Sequence, residues 1–406
     1  MSRTRPINCI IPPYILDRLM ESEDAEVRQA ALDTLLTTAR LRGERSLRAG
    51  LAGLSAVPGN GRRTVFDCEQ SEELSDAVMA RSENGPESAD GAVNQAFDAL
   101  GLTRDFYQEV FQRDSIDDRG MRLNAFVHFG RKVNNAFWDG SEMLFGDGDG
   151  VELGNLTGSL TVAGHELTHG VVDHTSGFEY HNQSGALNES MADVFGSLVK
   201  QWSMKQTVEE ADWLIGAEVW TPGIEGDALR SMKAPGTAYD NPLVGKDPQP
   251  DRMSRFVHLP DTPRGDNGGV HFNSGIPNKA FFATAAGIGG FAWEFTGRIW
   301  YEALRASRPR DTFQEFADMT FQQAGRLFTA GSPEQAAVVA GWQEVEIQIT
   351  GVPPGLARPR SFAVNGHGGA GRETDLAALT RQIAALGDKV TGLARELAAL
   401  KAKGSR

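Results

Sequence analysis

The sequence of 406 residues predicts an α+β chain in which a strand-rich first part precedes a mainly helical one. Residues 122–145 alternate Ala125, Val127 and Phe129 with polar neighbours, the period of a half-buried strand. Residues 160–350 instead repeat apolar side chains at helical spacing, in segments near 160–174, 183–203, 275–287, 293–306, 312–328 and 332–346. The first of those helices carries two histidines four positions apart, His165 and His169, at the junction between the two parts.

The remaining elements follow in chain order. Ile15, Leu19, Val27, Ala31 and Leu35 predict a helix over 14–42. Residues 49–61 are rich in Gly and small side chains, which reads as a linker or a cleavable joint. Two helices are expected at 87–100 and 103–113, the second opening at Thr103 as N-cap. Gly146–Gly150 alternates Gly with Asp and lacks the ligand spacing of a calcium loop, so it reads as a turn. The stretch 221–274 is a long loop heavy in Gly, Pro and Asp, a length that usually serves function. After a Gly/Pro/Arg-rich linker at 351–372, Leu376, Leu379, Ile383, Leu386, Val390, Leu393, Leu397 and Leu400 form a heptad seam. That helix either docks on its own core or self-associates, making a homo-oligomer through residues 373–403.

Charge and composition exclude several classes. With 40 Lys+Arg against 54 Asp+Glu the net charge is −14, a poor match for a nucleic-acid or membrane-surface binder. The charge is uneven. Residues 1–50 hold 8 basic and 7 acidic side chains and residues 351–406 hold 9 and 4, so the acidity belongs to the middle of the chain. The longest apolar run, Ala280–Trp293, is too short to span a bilayer and is broken by three glycines. Early prolines and Asp17 spoil a Sec-type signal, which leaves cytoplasmic retention and leaderless export as the two readings of location. Two cysteines, Cys9 and Cys68, exclude a disulfide framework while allowing one bridge.

The chemistry-bearing signal is His165-Glu166-Leu167-Thr168-His169. Helix positions four apart lie about 40° around and 6 Å along, so both imidazoles can reach one metal ion. A catalytic zinc needs a third protein ligand and an open position for water. Glu189 and Asp193 share one face of the next helix, which is otherwise apolar through Met191, Val194, Phe195, Leu198 and Val199. Buried carboxylates need partners. Glu189 can bind the metal, and Asp193 can accept the second N–H of a ligating imidazole.

These motifs resemble the thermolysin family of zinc metalloendopeptidases. The resemblance extends through Asn134–Trp138, Gly146–Gly150, Leu229–Met232 and Asp266–Gly275, in family order over about 62–350. It implies a two-lobed α+β fold with a β-rich N-terminal lobe at 56–158 and a zinc helix plus α-helical lobe at 159–350. It implies zinc ligation by His165, His169 and Glu189, with Glu166 as general base. His271 and Tyr180 would stabilise the oxyanion. Asp266 would orient His271, with Asn188 and Asp193 behind the metal ligands. Asn135 and Ala136 would hold substrate backbone, and Arg230 a substrate carbonyl. Val162, Leu229 and Leu156 would line an apolar pocket for the residue after the scissile bond, directing cleavage before bulky hydrophobic residues. The implied partners are protein or peptide substrates.

Thr161 and Lys200 stand where the family's double calcium site uses carboxylates, so that site is not expected; Thr221, Ile224 and Asp227 fit another calcium loop. Cys9–Leu16 resembles the short propeptide of protealysin-type members, implying a prosegment and linker at 1–55 that is removed by self-cleavage near 49–60. Pro12 and Pro13 would then lie in an extended strand. Cys9 either ligates zinc in the latent form or makes a buried apolar contact. Two competing readings are an aminopeptidase with the same zinc motif, which lacks support because no Gly-x-Met-Glu-Asn segment is present, and a scaffold built on the heptad helix.

Overall fold

A computed structural model describes residues 8–49, 62–353 and 356. The cut region expected near 49–60 beyond Ala49, most of the linker at 351–372 and the heptad segment 373–403 lie outside the described residues. A six-stranded sheet is made of β1 (Asn8–Cys9), β2 (Arg63–Asp67), β3 (Val78–Ser82), β4 (Leu123–Val127), β5 (Ala136–Trp138) and β6 (Glu142–Phe145), in the order β1-β5-β6-β4-β2-β3. Strands β2, β4 and β6 run parallel to their neighbours in that set, and β5 runs antiparallel to β6. Strand β1 closes one edge, antiparallel to β5, with Asn8 opposite Trp138 and Cys9 opposite Phe137.

The helices are α1 (Pro13–Leu19), α2 (Ala25–Ala49), α3 (Gly91–Phe111), α4 (Leu160–Asp173), α5 (Asn182–Met204), α6 (Asp266–Asn273), α7 (Gly275–Ile288), α8 (Thr296–Ala306), α9 (Phe313–Phe328) and α10 (Pro333–Glu344). The helical lobe packs around stacked indoles, Trp300 on Trp342 at 6.0 Å between centroids, with Phe281 and Phe316 edge-on to them. The indole N–H of Trp342 donates to Thr320 Oγ1 at 2.9 Å, which removes the cost of burying it. Among the described residues no helix is long and apolar enough to cross a membrane.

Several expectations need correction. The helix expected over 14–42 is two helices, split at residues 20–24, where Asp24 caps the second by accepting from Glu26 N at 2.7 Å. The helices expected at 87–100 and 103–113 are one, α3, with Thr103 buried inside it and Asp90 as the N-cap. Gly101 does not break it, because the Arg63 guanidinium packs against the bare Cα. Pro13 opens α1 and does not continue the strand; β1 is Asn8–Cys9, extended by one backbone bond from Ile10 to β5, and Pro12 is extended. Strands β2 and β3 escaped the sequence reading, as did α6 inside the loop-rich stretch.

Two glycines set the distance between α4 and α5. A Cβ on Gly196 of α5 would lie 2.7 Å from the Thr161 carbonyl oxygen and 3.0 Å from the His165 nitrogen, both backbone of α4. A Cβ on Gly164 would lie 3.0 Å from the Cα of Gly196. Helices α4 and α5 therefore cross backbone to backbone, which is what brings Glu189 across to His165 and His169. Gly196→Ala should force them apart, costing about 1–3 kcal/mol of stability and weakening zinc binding. Thermal unfolding and zinc titration of the variant check this; an unchanged melting temperature would contradict it.

At the far edge of the sheet, Arg63 hydrogen-bonds the Glu83 carboxylate, which together with the Arg63 backbone N–H lowers its pKa from 4.5 to about 2. The folded-state value is the lower one, so its stabilisation is present above pH 4.5 and is lost as pH falls towards 2. Glu83→Gln should flatten the acid limb of the stability curve in that window. Equal slopes for variant and wild type in acid denaturation would count against the clamp.

Candidate active site

The α4 residues His165, Glu166 and His169 and the α5 residues Asn188, Glu189 and Asp193 are all buried at the crossing of the two helices. His165 Nδ1 lies 2.8 Å from Asp193 Oδ1, and His169 Nδ1 lies 2.7 Å from Asn188 Oδ1. Asn188 Nδ2 donates to the Phe178 carbonyl, so its Oδ1 is the acceptor and His169 carries its proton on Nδ1. An ionised Asp193 fixes the same tautomer on His165. Both Nε2 lone pairs then face each other across 3.0 Å, and each lies 3.5 Å from a Glu189 oxygen.

Such an arrangement repels itself unless a cation lies between the donors. Burial and the neighbouring His165 push the His169 pKa well below its ordinary value, as a neutral ligand requires. Glu189 Oε2 has no hydrogen-bond partner among the described residues. Two imidazoles and a carboxylate, with ligand atoms within 4.8 Å of one another, suit a tetrahedral zinc that keeps one position free.

Asp193 is the most heavily engaged of these side chains. Besides His165 it accepts from Arg230 Nε and Nη2 at 2.9 and 2.8 Å, and from Asn278 Nδ2 at 2.9 Å. Burial alone would raise its pKa; the Arg230 guanidinium and His165 hold it well below the usual carboxylate range. Asn278 was not anticipated. A lone amide just before the apolar run Ala280–Trp293 is the available signal, and its spacing matches no motif.

Glu166 stands beside the ligands. Its Oε2 accepts from Trp138 N at 3.0 Å, and its Oε1 has no partner among the described residues. Burial and the Glu189 charge push its pKa well above the ordinary value. Opposite, Tyr180 OH donates to Glu189 and lies 3.2 Å from His271 Nε2. His271 Nδ1 lies 2.5 Å from Asp266 Oδ1, and its backbone N–H donates to Asp266 Oδ2 at 2.8 Å. Burial alone would lower the His271 pKa, but the Asp266 and Glu189 carboxylates outweigh it and raise the value to about 9. The hairpin grip of Asp266 on His271 depends on four successive positive φ angles, Asp266 to Gly269. A Cβ on Gly268 would strike the Asn182 side chain at 2.3 Å, so the Asn-Gly-Gly sequence is what lets this turn form.

The chain's own N-terminal residues run through the site. Ile10 N donates to the Ala136 carbonyl at 3.4 Å, and Ile11 N donates to Asn135 Oδ1 at 2.9 Å. Asn135 Nδ2 donates back to Ile11 O at 3.2 Å, and Arg230 Nη1 donates to Ile10 O at 3.0 Å. The Cys9 carbonyl oxygen is 3.2 Å from His271 Nε2. The Cys9 thiol packs with Leu41, Phe126, Phe129 and Phe137 and is pushed up to about 12 by burial. It is not part of the metal-ligand group among the described residues, so of the two readings of Cys9 the apolar contact is the one observed. Cys9 and Cys68 are both free thiols. Leu156, Val162 and Leu229 lie in one core cluster with Ile10 and Ile11.

Where the double calcium site was not expected, Lys200 Nζ donates to Asp212 at 2.8 Å and to Glu218 at 3.3 Å, and Thr161 Oγ1 accepts from Gly216 N. A lysine ammonium thus bridges the two carboxylates and offsets one of their two charges. In the second loop, Thr221 Oγ1 donates to Val151 O and Ile224 N to Thr221 O, while Asp227 N donates to Ala238 O. The Gly146–Gly150 segment is the expected turn, closed by Asp149 accepting from Val151, Glu152 and Leu153.

Comparison with known proteins agrees with this geometry. Residues 60–173 match the thermolysin metallopeptidase catalytic domain, and residues 176–347 match the thermolysin metallopeptidase alpha-helical domain. The chain is 44% identical over 350 residues to an extracellular metalloprotease of Pectobacterium carotovorum subsp. carotovorum, covering 86% of this chain and 98% of that one. It is 38% identical over 268 residues to a thermolysin of Alicyclobacillus acidocaldarius subsp. acidocaldarius, covering 64% of this chain and 46% of that one. Among solved structures, the precursor of protealysin, a metalloproteinase from Serratia proteamaculans, matches with a TM-score of 0.75 at 42% identity, over 85% of this chain and all of that one. Helix crossing, metal-ligand geometry and sequence agree: the chain belongs to the thermolysin family of metallopeptidases.

Proposed function

We propose that this zinc metalloendopeptidase is made as a precursor whose residues 1–55 are a prosegment and linker, and that it cleaves peptide bonds before bulky hydrophobic residues. The observation that carries the reading is the Cys9 carbonyl at 3.2 Å from His271 Nε2, with Ile10 and Ile11 bound by Arg230 and Asn135. The prosegment thus makes the contacts a substrate would make, adding a strand to β5. The Cys9–Ile10 bond stands at the scissile position, and Ile10 stands where the bulky residue of a substrate would enter the pocket of Leu156, Val162 and Leu229.

Zinc held by His165, His169 and Glu189 would supply Lewis-acid polarisation of the substrate carbonyl and lower the pKa of a water towards about 7. The chain's residues do the rest. Trp138 N fixes Glu166 through Oε2 and leaves Oε1 to take the proton of the attacking water and pass it to the leaving nitrogen. His271 and Tyr180 donate to the oxygen that becomes negative only in the transition state, where the stabilisation counts. Asp266 holds the His271 ring for that task. Asn135, the Ala136 carbonyl and Arg230 keep the substrate extended.

Self-cleavage near 49–60 would release the prosegment and leave the β-rich lobe 56–158 and the helical lobe 159–350, followed by the linker 351–372 and the heptad helix 373–403. Calcium would bind on the loop of Thr221, Ile224 and Asp227. Any homo-oligomer forms through 373–403.

Cleavage of N-blocked peptides, abolished by a chelator and restored by zinc, tests the class. An aminopeptidase would leave such peptides intact. Glu166→Gln should lower turnover by about 10²–10⁴-fold while zinc content is kept, and the variant purified alone should accumulate as unprocessed chain. Asp193→Asn should weaken zinc binding or activity by about 10–100-fold, read by competition with a metal indicator. Full zinc affinity together with full activity in that variant would remove Asp193 from its role.

A further inference from the structure

Arg45 lies on α2, in the part of the chain that precedes the linker, and only 5% of its side chain is exposed. Its Nη2 is 2.6 Å from Asp173 Oδ2, and its Nη1 donates to the Trp138 carbonyl at 3.1 Å. Nε and Cζ lie 3.2 and 3.4 Å from where a Cβ of Gly140 would stand, so the missing side chain there is what admits the guanidinium. Asp173 is the last residue of α4, where the helix dipole disfavours an anion and favours a cation beside it.

The recess around this guanidinium is built by the body of the enzyme: a carbonyl from β5, a carboxylate from the end of the zinc helix, and a glycine. It also adjoins the substrate track. Trp138 is the register partner of Asn8, the residue preceding Cys9. The guanidinium therefore stands next to the track on the N-terminal side of the Cys9–Ile10 bond. Arg45 reaches it from a separate helix, while β1 fills the backbone track itself.

We propose that the recess filled by Arg45 in the precursor becomes a substrate subsite once the prosegment leaves, taking the arginine side chain of a substrate. The position read is the second or third residue N-terminal to the cleaved bond. A planar guanidinium can span the Trp138 carbonyl and the Asp173 carboxylate at once, which a lysine ammonium does less well. A glutamate at that position meets Asp173 and is repelled. The subsite rests on the peptidase reading above.

The test uses processed enzyme obtained from the full chain and quenched-fluorescent peptides. They are identical except for arginine, citrulline, alanine or glutamate at the second or the third position before the cut. Citrulline keeps the shape of arginine and removes its charge. The wild-type enzyme should favour arginine over citrulline about tenfold in kcat/KM at one of the two positions, with glutamate poorest. In Asp173→Asn the arginine-to-citrulline ratio should fall towards one. Equal rates for arginine and citrulline at both positions in the wild type, or an unchanged ratio in the variant, would overturn the subsite. Should the variant fail to fold, the wild-type comparison, repeated at high salt where the ratio should shrink, decides alone. Cleavage of the alanine peptide shows that the peptidase reading stands whatever the ratio. If none of the peptides is cut, that reading falls and the subsite falls with it.

Discussion

The buried carboxylate of Asp193 ties the parts of this molecule together. Its oxygens accept from His165 on α4, from Arg230 in the short strand Arg230–Ser231 and from Asn278 on α7. An ionised carboxylate is expensive to bury unless it is both paired and hydrogen-bonded, and this one is both. The same group fixes the tautomer of His165, so that Nε2 faces His169 and Glu189, and aims Arg230, so that Nη1 reaches the Ile10 carbonyl. In the proposed reading, zinc binding and backbone recognition would therefore share one anchor. The close crossing at Gly164 and Gly196 is the geometric condition for that sharing, because a wider separation would carry Asp193 and Glu189 away from the two histidines.

The proposed latency would rest on the same contacts. Residues 9–11 meet Asn135, Ala136, Arg230 and His271 through backbone atoms, in the manner of an extended ligand. The prosegment is held in place by more than this strand. Helix α1 buries Ile15, Leu16 and Leu19 in the main core, and Arg45 of α2 forms its buried pair with Asp173. In the proposed reading, inhibition would be an intramolecular occupation of the site, with a high effective concentration that would end when the connecting chain is cut.

The catalytic helix pair was legible in the sequence because its signal is local. Histidines four apart and carboxylates four apart project to one face of a helix whatever surrounds them, and Leu160–Asp173 and Asn182–Met204 fall within a residue or so of the expected spans. His271 and Tyr180 were placed by resemblance alone, since nothing local announces that residues so far apart in sequence will meet. What escaped was decided by tertiary contact. Thr103 has the residue type of an N-cap, yet Arg63 covers the bare Cα of Gly101 and α3 runs through both. The left-handed turn at Asp266–Gly269 hid a short helix within loop-like composition. Asn278 and Arg45 act through partners 85 and 128 positions away in the chain, and no periodicity encodes that.

In the full-length protein a finished zinc site is expected, with the chain's own residues 8–11 laid along β5. Anomalous diffraction at the zinc edge from crystals of the full-length precursor tests it most directly. The expected result is one zinc per chain between His165, His169 and Glu189, with the Cys9 carbonyl beside His271. Zinc bound elsewhere, or a cleft from which residues 8–11 have withdrawn, would contradict it.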